Sequence, residues 1–366
     1  MEKRVVIIGA GTAGLISAAR LARLDKKVNV YERKKSTAQI NNASGILSVS
    51  GLQGLDINYR EGILNKLDGA LIHFPSVSLR VESKKTQAYV IDRSKLNELC
   101  REDAAGSGAT INYDEGVTER SLAELRRSNI VVGADGAVSS VARHFRFPGI
   151  GRYLLTYKAE YRIKSENDRL VELFFNNMLT PGMFGWIAPH GDNTEVGVGI
   201  DSKRGNSMNA FKQFIHMPKL REKFSEIRVV TKGASIIPIE LRKKFVDEKN
   251  GVLLIGDAAG QVKASTGGGI IFGGNAALLA ADAIANHFDK AASLVTYEKE
   301  WRRRFELDIR LHKLINNLYS SMNNRELDLL GKSMKALKFE DFMSRYGDMD
   351  RPSIMLKRFF LRGFAK

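Results

Sequence analysis

The feature that most constrains the fold is a glycine-rich turn between an apolar strand and an alanine-rich helix. Residues 4–8 read Arg-Val-Val-Ile-Ile, and residues 9–14 complete the pattern G-x-G-x-x-G. Gly9 lets the strand turn sharply, Gly11 lets a pyrophosphate approach the backbone, and Gly14 lets the helix pack closely on the strand. The first N–H groups of that helix lack partners within the helix, so they and the helix dipole favour a diphosphate.

A second strand follows at the spacing that dinucleotide binding requires. It is predicted over 27–31 and ends at Glu32, where the pattern expects an acid about 20 residues after the glycines. A carboxylate at this point is placed to accept hydrogen bonds from both hydroxyls of a ribose. Together, the strands, glycines, helix and acid predict a dinucleotide site rather than an ordinary glycine-rich turn.

The rest of the chain contains segments typical of a nucleotide-binding domain and segments typical of an antiparallel sheet or of helices. A strand is predicted at 109–117 and a buried parallel strand, which ends in an Asp-Gly turn, at 129–136; the same apolar, glycine-rich character returns at 251–260. Residues 152–230 instead suggest an antiparallel sheet with helices, and the chain is charged and helical from residue 297 onward. The middle block is therefore expected to be an insertion into the nucleotide domain.

The net charge is the unusual bulk property. The chain has 57 Lys and Arg against 41 Asp and Glu, which gives +16 and a pI near 9.8. Such a charge suits an anionic membrane, a phosphorylated substrate, an acidic protein or nucleic acid. Residues 351–366 interleave basic and bulky apolar side chains, which suits an anionic bilayer surface, although a packed C-terminal helix with a solvated basic face is the alternative. No nucleic-acid partner is expected, because no recognition-helix or RNA-binding motif is present.

Cysteine usage and hydropathy limit the remaining classes. The single cysteine, Cys100, excludes an internal disulfide and a cysteine-ligated iron–sulfur cluster, and it is expected to be a small buried apolar residue. No metal site is expected. Only residues 1–3 precede the first strand, so no targeting sequence is expected. The apolar stretch 269–288 contains Asn275 and Asp282 and is predicted to be a buried helix rather than a membrane span.

Three separated segments, 9–32, 134–136 and 255–257, each consist of an apolar strand that ends in glycines and an acid. In this combination the chain resembles the flavin-dependent class that contains p-hydroxybenzoate hydroxylase and the geranylgeranyl reductases, over most of residues 1–290. The resemblance implies an α/β fold: a Rossmann-like FAD-binding domain, an inserted antiparallel-sheet substrate domain and a C-terminal helical region. The implied boundaries are 1–60, 85–150 and 235–290 for the FAD-binding domain, 61–84 and 151–234 for the substrate domain, and 291–366 for the helical region.

The same resemblance implies a set of cofactor contacts. In that class the glycine fingerprint holds the FAD diphosphate and a late aspartate, here Asp257, bonds the ribityl chain; an arginine matching Arg93 reaches the cofactor. By position, Val117 at the end of its strand would lie near the adenine. The implied cofactor-binding residues are Gly9, Gly11, Ala13, Gly14, Glu32, Arg33, Ala43, Ser44, Arg93, Val117, Asp257, Gly268, Gly269 and Ile270. The alternatives are a helix N-cap for Asp257 and an Asp-Gly turn for Asp135.

The loop 265–270, Ser-Thr-Gly-Gly-Gly-Ile, resembles the reductases' version of the loop beside the flavin ring. Three glycines allow a flat ring to approach the backbone, and the next helix points its positive end at that spot. Unpaired N–H groups there would stabilise the negative charge of a reduced flavin and raise its potential. The proline usual in the family is absent, and Lys263 and Ala264 stand in its neighbourhood.

Residues 181–189 resemble the P-x-x-Y-x-W-x-F-P signature of geranylgeranyl reductases, with Phe184 for the tyrosine and Ala188 for the phenylalanine. Rigid prolines with an aromatic pair can line a narrow apolar tunnel for an isoprenoid chain. A hydrophobic hairpin in the second sheet is the alternative. The implied substrate-binding residues are Pro181, Phe184, Trp186 and Pro189. Many of these reductases also carry a cysteine in the loop near the flavin, where this chain has Ala43.

The implied activity is reduction of isolated C=C bonds of geranylgeranyl chains, on archaeal ether lipid precursors, by hydride transfer from reduced FAD. No catalytic residue is assigned: Ser44, a tyrosine or histidine of the second sheet such as His190, or a water could supply the proton. No separate nicotinamide domain is visible, so NADPH or a reduced, acidic ferredoxin is the expected transient electron donor. The expected location is the cytoplasm, peripherally on the inner face of the membrane.

A flavin-dependent monooxygenase or halogenase that acts on a small aromatic substrate is the alternative. The stretch 184–189 also loosely resembles the tryptophan-containing motif of halogenases. The glycine loop and the 181–189 segment together fit the reductases better.

Overall fold

Strands and helices follow one another in the order that an α/β fold with an inserted sheet requires. The computed structural model describes residues 4–37, 44–127 and 129–363, with side chains described through residue 358. The strands are β1 (Arg4–Ile8), β2 (Val28–Tyr31), β3 (Ile46–Ser48), β4 (Ile63–Leu67), β5 (Gly69–His73), β6 (Ser78–Glu82), β7 (Ala88–Ile91), β8 (Thr110–Asn112), β9 (Asn129–Gly133), β10 (Tyr153–Tyr161), β11 (Leu170–Phe174), β12 (Gly185–His190), β13 (Asn193–Asp201), β14 (Val229–Pro238), β15 (Val246–Asp247) and β16 (Val252–Leu254). The helices are α1 (Thr12–Arg23), α2 (Val49–Gln53), α3 (Arg93–Gly106), α4 (Glu119–Leu125), α5 (Ser140–His144), α6 (Ser207–Ile215), α7 (Pro218–Phe224), α8 (Ile270–Lys290), α9 (Val295–Ser321), α10 (Asn324–Ala336), α11 (Phe339–Tyr346) and α12 (Pro352–Gly363).

The first sheet has the order β15-β16-β9-β1-β2-β8, and all of its strands except β15 run parallel. Its central strands β1 and β9 are runs of valine and isoleucine because helices cover both faces of a parallel sheet. Val6 and Ile7 are buried on opposite sides of β1, and α1 packs against both α3 and α8. This layered core brings the glycine-rich ends of β1, β9 and β16 to one edge of the sheet.

The second sheet has the order β14-β10-β13-β12-β11-β5-β6 and is antiparallel except for the β11–β5 pair. Its two faces have different partners. Ile187, Val196 and Val198 point to one side, where they pack with α6 and α7. Trp186 and Ala188 point to the other side, into a cluster that includes Ala264, the residue before the glycine loop. The second sheet therefore presents one face to the first domain.

A small sheet and a helical region complete the fold. The small sheet has the order β3-β7-β4, and α9 packs against α8 and β15. Among the residues that the structure describes, no helix combines the length and the apolar character that crossing a membrane requires. The predicted α/β class, with its parallel sheet, its antiparallel insertion and its C-terminal helices, is confirmed.

Two boundaries differ from the sequence prediction. β8 ends at Asn112 rather than 117, because Asp114 takes a left-handed conformation (φ 60°) and the N–H of Glu115 donates to the carbonyl of Glu32. The chain thus turns back toward β2 instead of extending. β14 continues to Pro238, past the predicted domain boundary at 234, because it pairs with β10 along its whole length.

Candidate active site

The three glycines of the first turn differ in what surrounds them. Gly9 has a φ of +107°, and a Cβ atom there would lie 2.4 Å from the carbonyl oxygen of Ala134. A Cβ atom at Gly14 would lie 2.0 Å from the carbonyl oxygen of Gly9. Gly11 has no described atom within 4 Å of that position. Gly9 and Gly14 therefore serve the packing of strand and helix, whereas the backbone at Gly11 faces open space that a ligand can enter.

The carboxylate at the end of β2 is bound to the same turn. Glu32 is buried, and its Oε2 accepts from the Ala10 N–H at 2.9 Å while Oε1 accepts from the Lys34 N–H at 2.9 Å. Ala13 lies on the other side of the turn, where its Cβ is 3.3 Å from the Cβ position of Gly256. The structure therefore brings the first turn, the acid and the 256–259 turn together.

Arg93 supplies a buried cation beside the first turn of α1. Its Nη2 donates to Oγ1 of Thr12 at 2.8 Å, and that hydroxyl donates to Oδ1 of Asn97 at 2.7 Å. Nε and Nη1 have no hydrogen-bond partner among the described residues. Burial lowers the pKa of Arg93 to about 10, so the guanidinium still carries its charge at neutral pH. A buried cation with two unused donor atoms, next to the open backbone of Gly11, fits the diphosphate of a dinucleotide.

Asp257 lies between Arg93 and the glycine loop. A Cβ atom at Gly269 would be 2.8 Å from Oδ1 of Asp257. Burial raises the pKa of Asp257 to about 6, with Arg93 acting in the opposite direction. No described residue donates a hydrogen bond to its side chain, so the carboxylate has capacity for ligand hydroxyls such as those of a ribityl chain.

The glycine loop contacts the second sheet directly. Gly267 has a φ of +74°, and a Cβ atom there would lie 3.0 Å from Cδ1 of Ile237 and 3.6 Å from Cε of Met183. Helix α8 begins at Ile270, and its N-cap residue, Gly269, has no side chain that could cap the first N–H groups. Free N–H groups of α8 therefore lie at the junction of the two domains.

The predicted substrate segment divides between the two faces of β12. Phe184 and Trp186 are buried in the cluster of Leu67, Ala88, Val90, Leu154, Val171, Met183, Phe184, Trp186, Ala188, Ile239 and Ala264. Pro181 lies before the strand, and its carbonyl accepts from the Asp201 N–H at 2.8 Å. Successive side chains of β12 point to opposite faces of the sheet, so Pro189 lies on the same face as Ile187 and on the face opposite to Trp186. The structure therefore does not bring Pro189 to the side where Phe184 and Trp186 lie.

A buried ion pair on the same sheet face was not predicted from the sequence. Nζ of Lys158 lies 2.6 Å from Oε2 of Glu195, and Nε1 of Trp186 donates to Oε1 of Glu195 at 2.8 Å. Burial opposes ionisation of Glu195, but Lys158, Ser44 and Trp186 together hold the pKa of its carboxyl below the usual value. Glu195 thus joins Ser44, predicted to be a cofactor residue, to Trp186, predicted to be a substrate residue.

The pair extends along the sheet. Oε2 of Glu160 lies 3.5 Å from Nδ1 of His190, and ligand atoms of Glu160, His190 and Glu195 all lie within 4.8 Å of one another. Such a spacing suits a cation, but Lys158 already neutralises Glu195. The sequence signal for this group was available: Lys158 and Glu160 interrupt an otherwise apolar strand, and charged residues on a buried strand require partners.

The remaining candidate residues lie next to Glu32, in the loop after β8, in α3 or before α5, and one lies outside the described part of the chain. Asp135 accepts from the N–H groups of Ser140 and Val141 and from the hydroxyl of Ser139, so its carboxylate caps α5. Val117 lies in the loop beyond β8, and Arg33 lies close by, 3.6 Å from the Cβ position of Gly116. Ala43 lies outside the described residues. Cys100 is buried in α3, and burial raises the pKa of its thiol to about 12.

Comparisons with known proteins agree with this geometry. The sequence model of a family described as FAD binding domain matches residues 2–309. A digeranylgeranylglycerophospholipid reductase of Methanosarcina mazei is 29% identical over 374 residues, which cover 92% of this chain and 89% of the relative. An uncharacterized protein of Methanocaldococcus jannaschii is 27% identical over 365 residues, which cover 95% of this chain and 92% of the relative.

The solved structure of a geranylgeranyl bacteriochlorophyll reductase-like protein of Thermoplasma acidophilum has a similar fold. Its TM-score is 0.81 at 19% identity, with 97% of this chain and 94% of that chain covered. At this identity the likeness shows that the two chains share a fold.

Proposed function

The chain belongs to the FAD-binding-domain family, and on that premise we propose that it reduces isolated C=C bonds of geranylgeranyl chains in archaeal ether lipid precursors. One observation carries the proposal: the apolar cluster around Phe184 and Trp186 lies directly against the glycine loop at Gly267. An apolar chain held in that cluster would lie beside the cofactor ring. The similarity to the Methanosarcina mazei reductase supports the same substrate class.

Each part of the centre has a defined task in this proposal. Gly11 and Arg93 would hold the diphosphate, Glu32 would hold the ribose and Asp257 would hold the ribityl chain. When bound and reduced, FAD would supply the hydride that one carbon of the double bond takes up. The apolar cluster orients the chain and excludes water, which an unactivated alkene requires because positioning must supply much of the rate.

The other alkene carbon takes a proton, which the polar group on the second sheet can deliver. Glu195 fixes the indole of Trp186 through a 2.8 Å hydrogen bond. Ser44, which bonds Glu195, and His190, which lies beside Glu160, are the two candidates for the proton donor. The Lys158–Glu195 pair keeps a fixed charge arrangement beside them. Hydride and proton together account for the two hydrogens that the double bond gains.

Product analysis tests the proposal. The FAD-loaded protein, reduced with dithionite so that no biological donor is needed, is incubated with a digeranylgeranylglyceryl phospholipid in detergent, and the products are measured by mass spectrometry. A gain of two hydrogens per double bond is expected. Unchanged lipid, together with addition of halogen or oxygen to a small aromatic substrate in the presence of halide and O₂, would contradict the proposal and support the halogenase or monooxygenase alternative.

A matched pair of variants on β12 locates the substrate. Trp186→Leu should lower kcat/KM for the lipid about tenfold or more, because an interaction worth about 1.4 kcal/mol in the transition state is lost. Ile187→Val changes the neighbouring residue on the opposite face and should leave kcat/KM unchanged. Equal effects of the two variants would show that the chain does not lie on the Trp186 face.

We propose that the C-terminal helix brings the enzyme to an anionic membrane. Lys357 and Arg358 of α12 are exposed, and Leu356 beside them is 43% exposed. Asp308 of α9 anchors the start of α12, since it accepts from Nε of Arg351 at 2.7 Å and from the N–H of Ser353 at 2.9 Å. Co-sedimentation with phosphatidylglycerol vesicles but not phosphatidylcholine vesicles is expected. Unchanged binding of the Lys357→Glu/Arg358→Glu variant would contradict the proposal.

NADPH or a reduced ferredoxin is proposed as the electron donor, because the net charge of +16 attracts either anionic partner. Anaerobic mixing with each donor and observation of flavin bleaching distinguishes them. The rate should fall steeply with salt for the ferredoxin. Bleaching by neither donor would contradict this assignment without affecting the product test.

A further inference from the structure

A buried lysine lies against the loop that the proposed function assigns to the flavin ring. Lys263 is 4% exposed. Its carbonyl accepts from the Gly267 N–H at 2.7 Å, and its N–H donates to the Gly268 carbonyl at 3.0 Å. Its Nζ lies 3.3 Å from the position of a Cβ atom at Gly268. A positive charge is therefore held in direct contact with this loop.

An aspartate from a distant part of the chain neutralises this charge. Oδ1 of Asp350 accepts from Nζ of Lys263 at 2.5 Å, and the Met349 carbonyl accepts from the same Nζ at 3.1 Å. The hydroxyl of Ser48 donates to Oδ2 of Asp350. Burial opposes ionisation of Asp350, but Lys263 and Ser48 keep the pKa of its carboxyl below the usual value. The carboxylate form of Asp350 is therefore favoured beside Lys263.

The imidazole beside the pair is neutral. Nε2 of His312 donates to the Asp350 carbonyl at 3.2 Å, which leaves Nδ1 to accept from the Ser265 hydroxyl at 2.7 Å. Burial, and then the charge of Lys263, lower the pKa of His312 to about 4. The Tyr319 hydroxyl donates to the Ser265 carbonyl at 3.0 Å. The carboxylate of Asp348 also accepts from the Asp350 N–H at 2.9 Å. Of the two paired charges, Lys263 is the one nearer to Gly268.

We propose that the Lys263–Asp350 pair sets the reduction potential of FAD bound at Gly268 and Gly269. The inference rests on the cofactor placement of the proposed function. Reduced flavin carries negative charge, so a nearby cation stabilises the reduced form and a nearby anion destabilises it. In a buried, poorly screened site these effects exceed those of surface charges. Lys263 and Asp350 are positioning residues that act on the electron affinity of the cofactor.

Opposite shifts from the two halves of the pair test the inference. The midpoint potential of bound FAD is measured by spectroelectrochemical titration in the wild type, Lys263→Met and Asp350→Asn. Lys263→Met should decrease the ratio of reduced to oxidised flavin at a fixed poise about tenfold, which is about 30 mV for a two-electron couple. Asp350→Asn should shift the ratio in the opposite direction. Lys313→Met, which removes a lysine that is 42% exposed and pairs with Glu240, serves as the control and should leave the potential unchanged.

Each single variant leaves one buried charge unpaired, which can prevent folding. A double variant that removes both charges avoids this problem. Lys263→Met/Asp350→Asn should lower the potential by less than Lys263→Met, because the nearer charge has the larger effect. Lys263→Arg keeps the charge and should retain the potential of the wild type.

The inference would be overturned if the charge-removing variants had the potential of the wild type, or if Lys263→Met and Asp350→Asn shifted it in the same direction. Because FAD is bound in these measurements, either result would leave the proposed function intact. Wild-type protein that retains no FAD would overturn both.

Discussion

Nζ of Lys158 lies 2.6 Å from Oε2 of Glu195, and both side chains are buried on the sheet face that meets the FAD-binding domain. Taking two charges out of water costs several kcal/mol for each ion, and the pair offsets this cost only while both partners are present. The pair is therefore a fixed element of the centre, on which the position of Trp186 depends.

Removal of one partner should be strongly destabilising. Glu195→Gln is expected to lower the free energy of unfolding by about 3–5 kcal/mol, because Lys158 would stay buried without its counter-charge. Urea unfolding measures this. The double variant Lys158→Met/Glu195→Gln should lose less than Glu195→Gln alone. Glu82→Gln removes one partner of the exposed Arg80–Glu82 pair and should cost about 0–1 kcal/mol; equal losses for Glu82→Gln and Glu195→Gln would contradict the argument.

Two glycines of the first turn should respond oppositely to alanine. Gly14→Ala places a methyl group 2.0 Å from the Gly9 carbonyl oxygen, so the apoprotein should lose about 3 kcal/mol or more. Gly11→Ala meets no described atom within 4 Å and should retain stability while binding FAD more weakly. Urea unfolding of the apoproteins and fluorescence titration with FAD separate the two effects. Normal FAD affinity in Gly11→Ala would show that the diphosphate lies elsewhere.

Arg93→Met should weaken FAD binding without lowering the stability of the apoprotein. Loss of charge-assisted hydrogen bonds worth about 1.5–3 kcal/mol predicts FAD binding about 10- to 150-fold weaker. The apoprotein should be no less stable, since removal of a buried cation with two donors unpartnered among the described residues offsets the loss of its hydrogen bond to Thr12. Arg101→Met on the same helix removes a guanidinium that pairs with Glu98 and should leave the FAD dissociation constant unchanged. A similar weakening in both variants would indicate a helix-wide effect.

The pH dependence of apoprotein stability should contain a contribution from Asp257. The pKa of Asp257 in the folded protein, about 6, lies above the ordinary value of 3.8, so between these pH values the native state keeps a proton that the unfolded state has lost. The contribution of protonated Asp257 to stability is fully present below pH about 4 and is lost as the pH rises through about 6. Asp257→Asn should therefore be more stable than the wild type at pH 7.5 and equal to it near pH 4. His312 titrates in the opposite sense, but it is the same in both proteins and cancels in the difference.

Urea midpoints at the two pH values check this prediction. Asp135→Asn is the control, because the Asp135 carboxylate is satisfied by hydrogen bonds at α5 and its loss should destabilise the protein. A difference between wild type and Asp257→Asn that does not change with pH would contradict the argument.

Cys100 should be unreactive in the native protein. Burial raises the pKa of its thiol to about 12, so almost no thiolate is present at pH 8. Iodoacetamide should label the protein only in denaturant, with one equivalent per chain. Rapid native labelling would show that α3 opens.

Local sequence chemistry was sufficient to predict the first domain. The fingerprint at Gly9, Gly11 and Gly14 and the acid at Glu32 specify adjacent strands and one helix, so no distant partner needs to be known. The match to the FAD-binding-domain family confirms the predicted cofactor, FAD, and with it the predicted class of FAD-dependent oxidoreductases. Val117 was placed at the end of a strand that the structure ends at Asn112, because the left-handed turn at Asp114 has no distinctive sequence signature.

Residues that depend on distant pairing were not predicted. Lys158 and Glu195 are 37 positions apart and become partners only through the β10–β13 register. Lys263 was noted only for a missing proline, because its partner Asp350 follows 87 positions later. Charges on buried segments indicate that partners exist, but the topology decides which residues they are.

The Lys263–Asp350 contact also has a consequence for synthesis on the ribosome. Translation at about 5–20 residues per second separates the two residues by about 4–17 s. During this interval the nascent first domain carries a lysine beneath its glycine loop without its counter-charge, so FAD bound to a chain that ends before residue 350 should have a higher potential than FAD bound to the completed chain. The final potential of the cofactor would then be set only after the C-terminal segment has been made, and not when the fingerprint emerges.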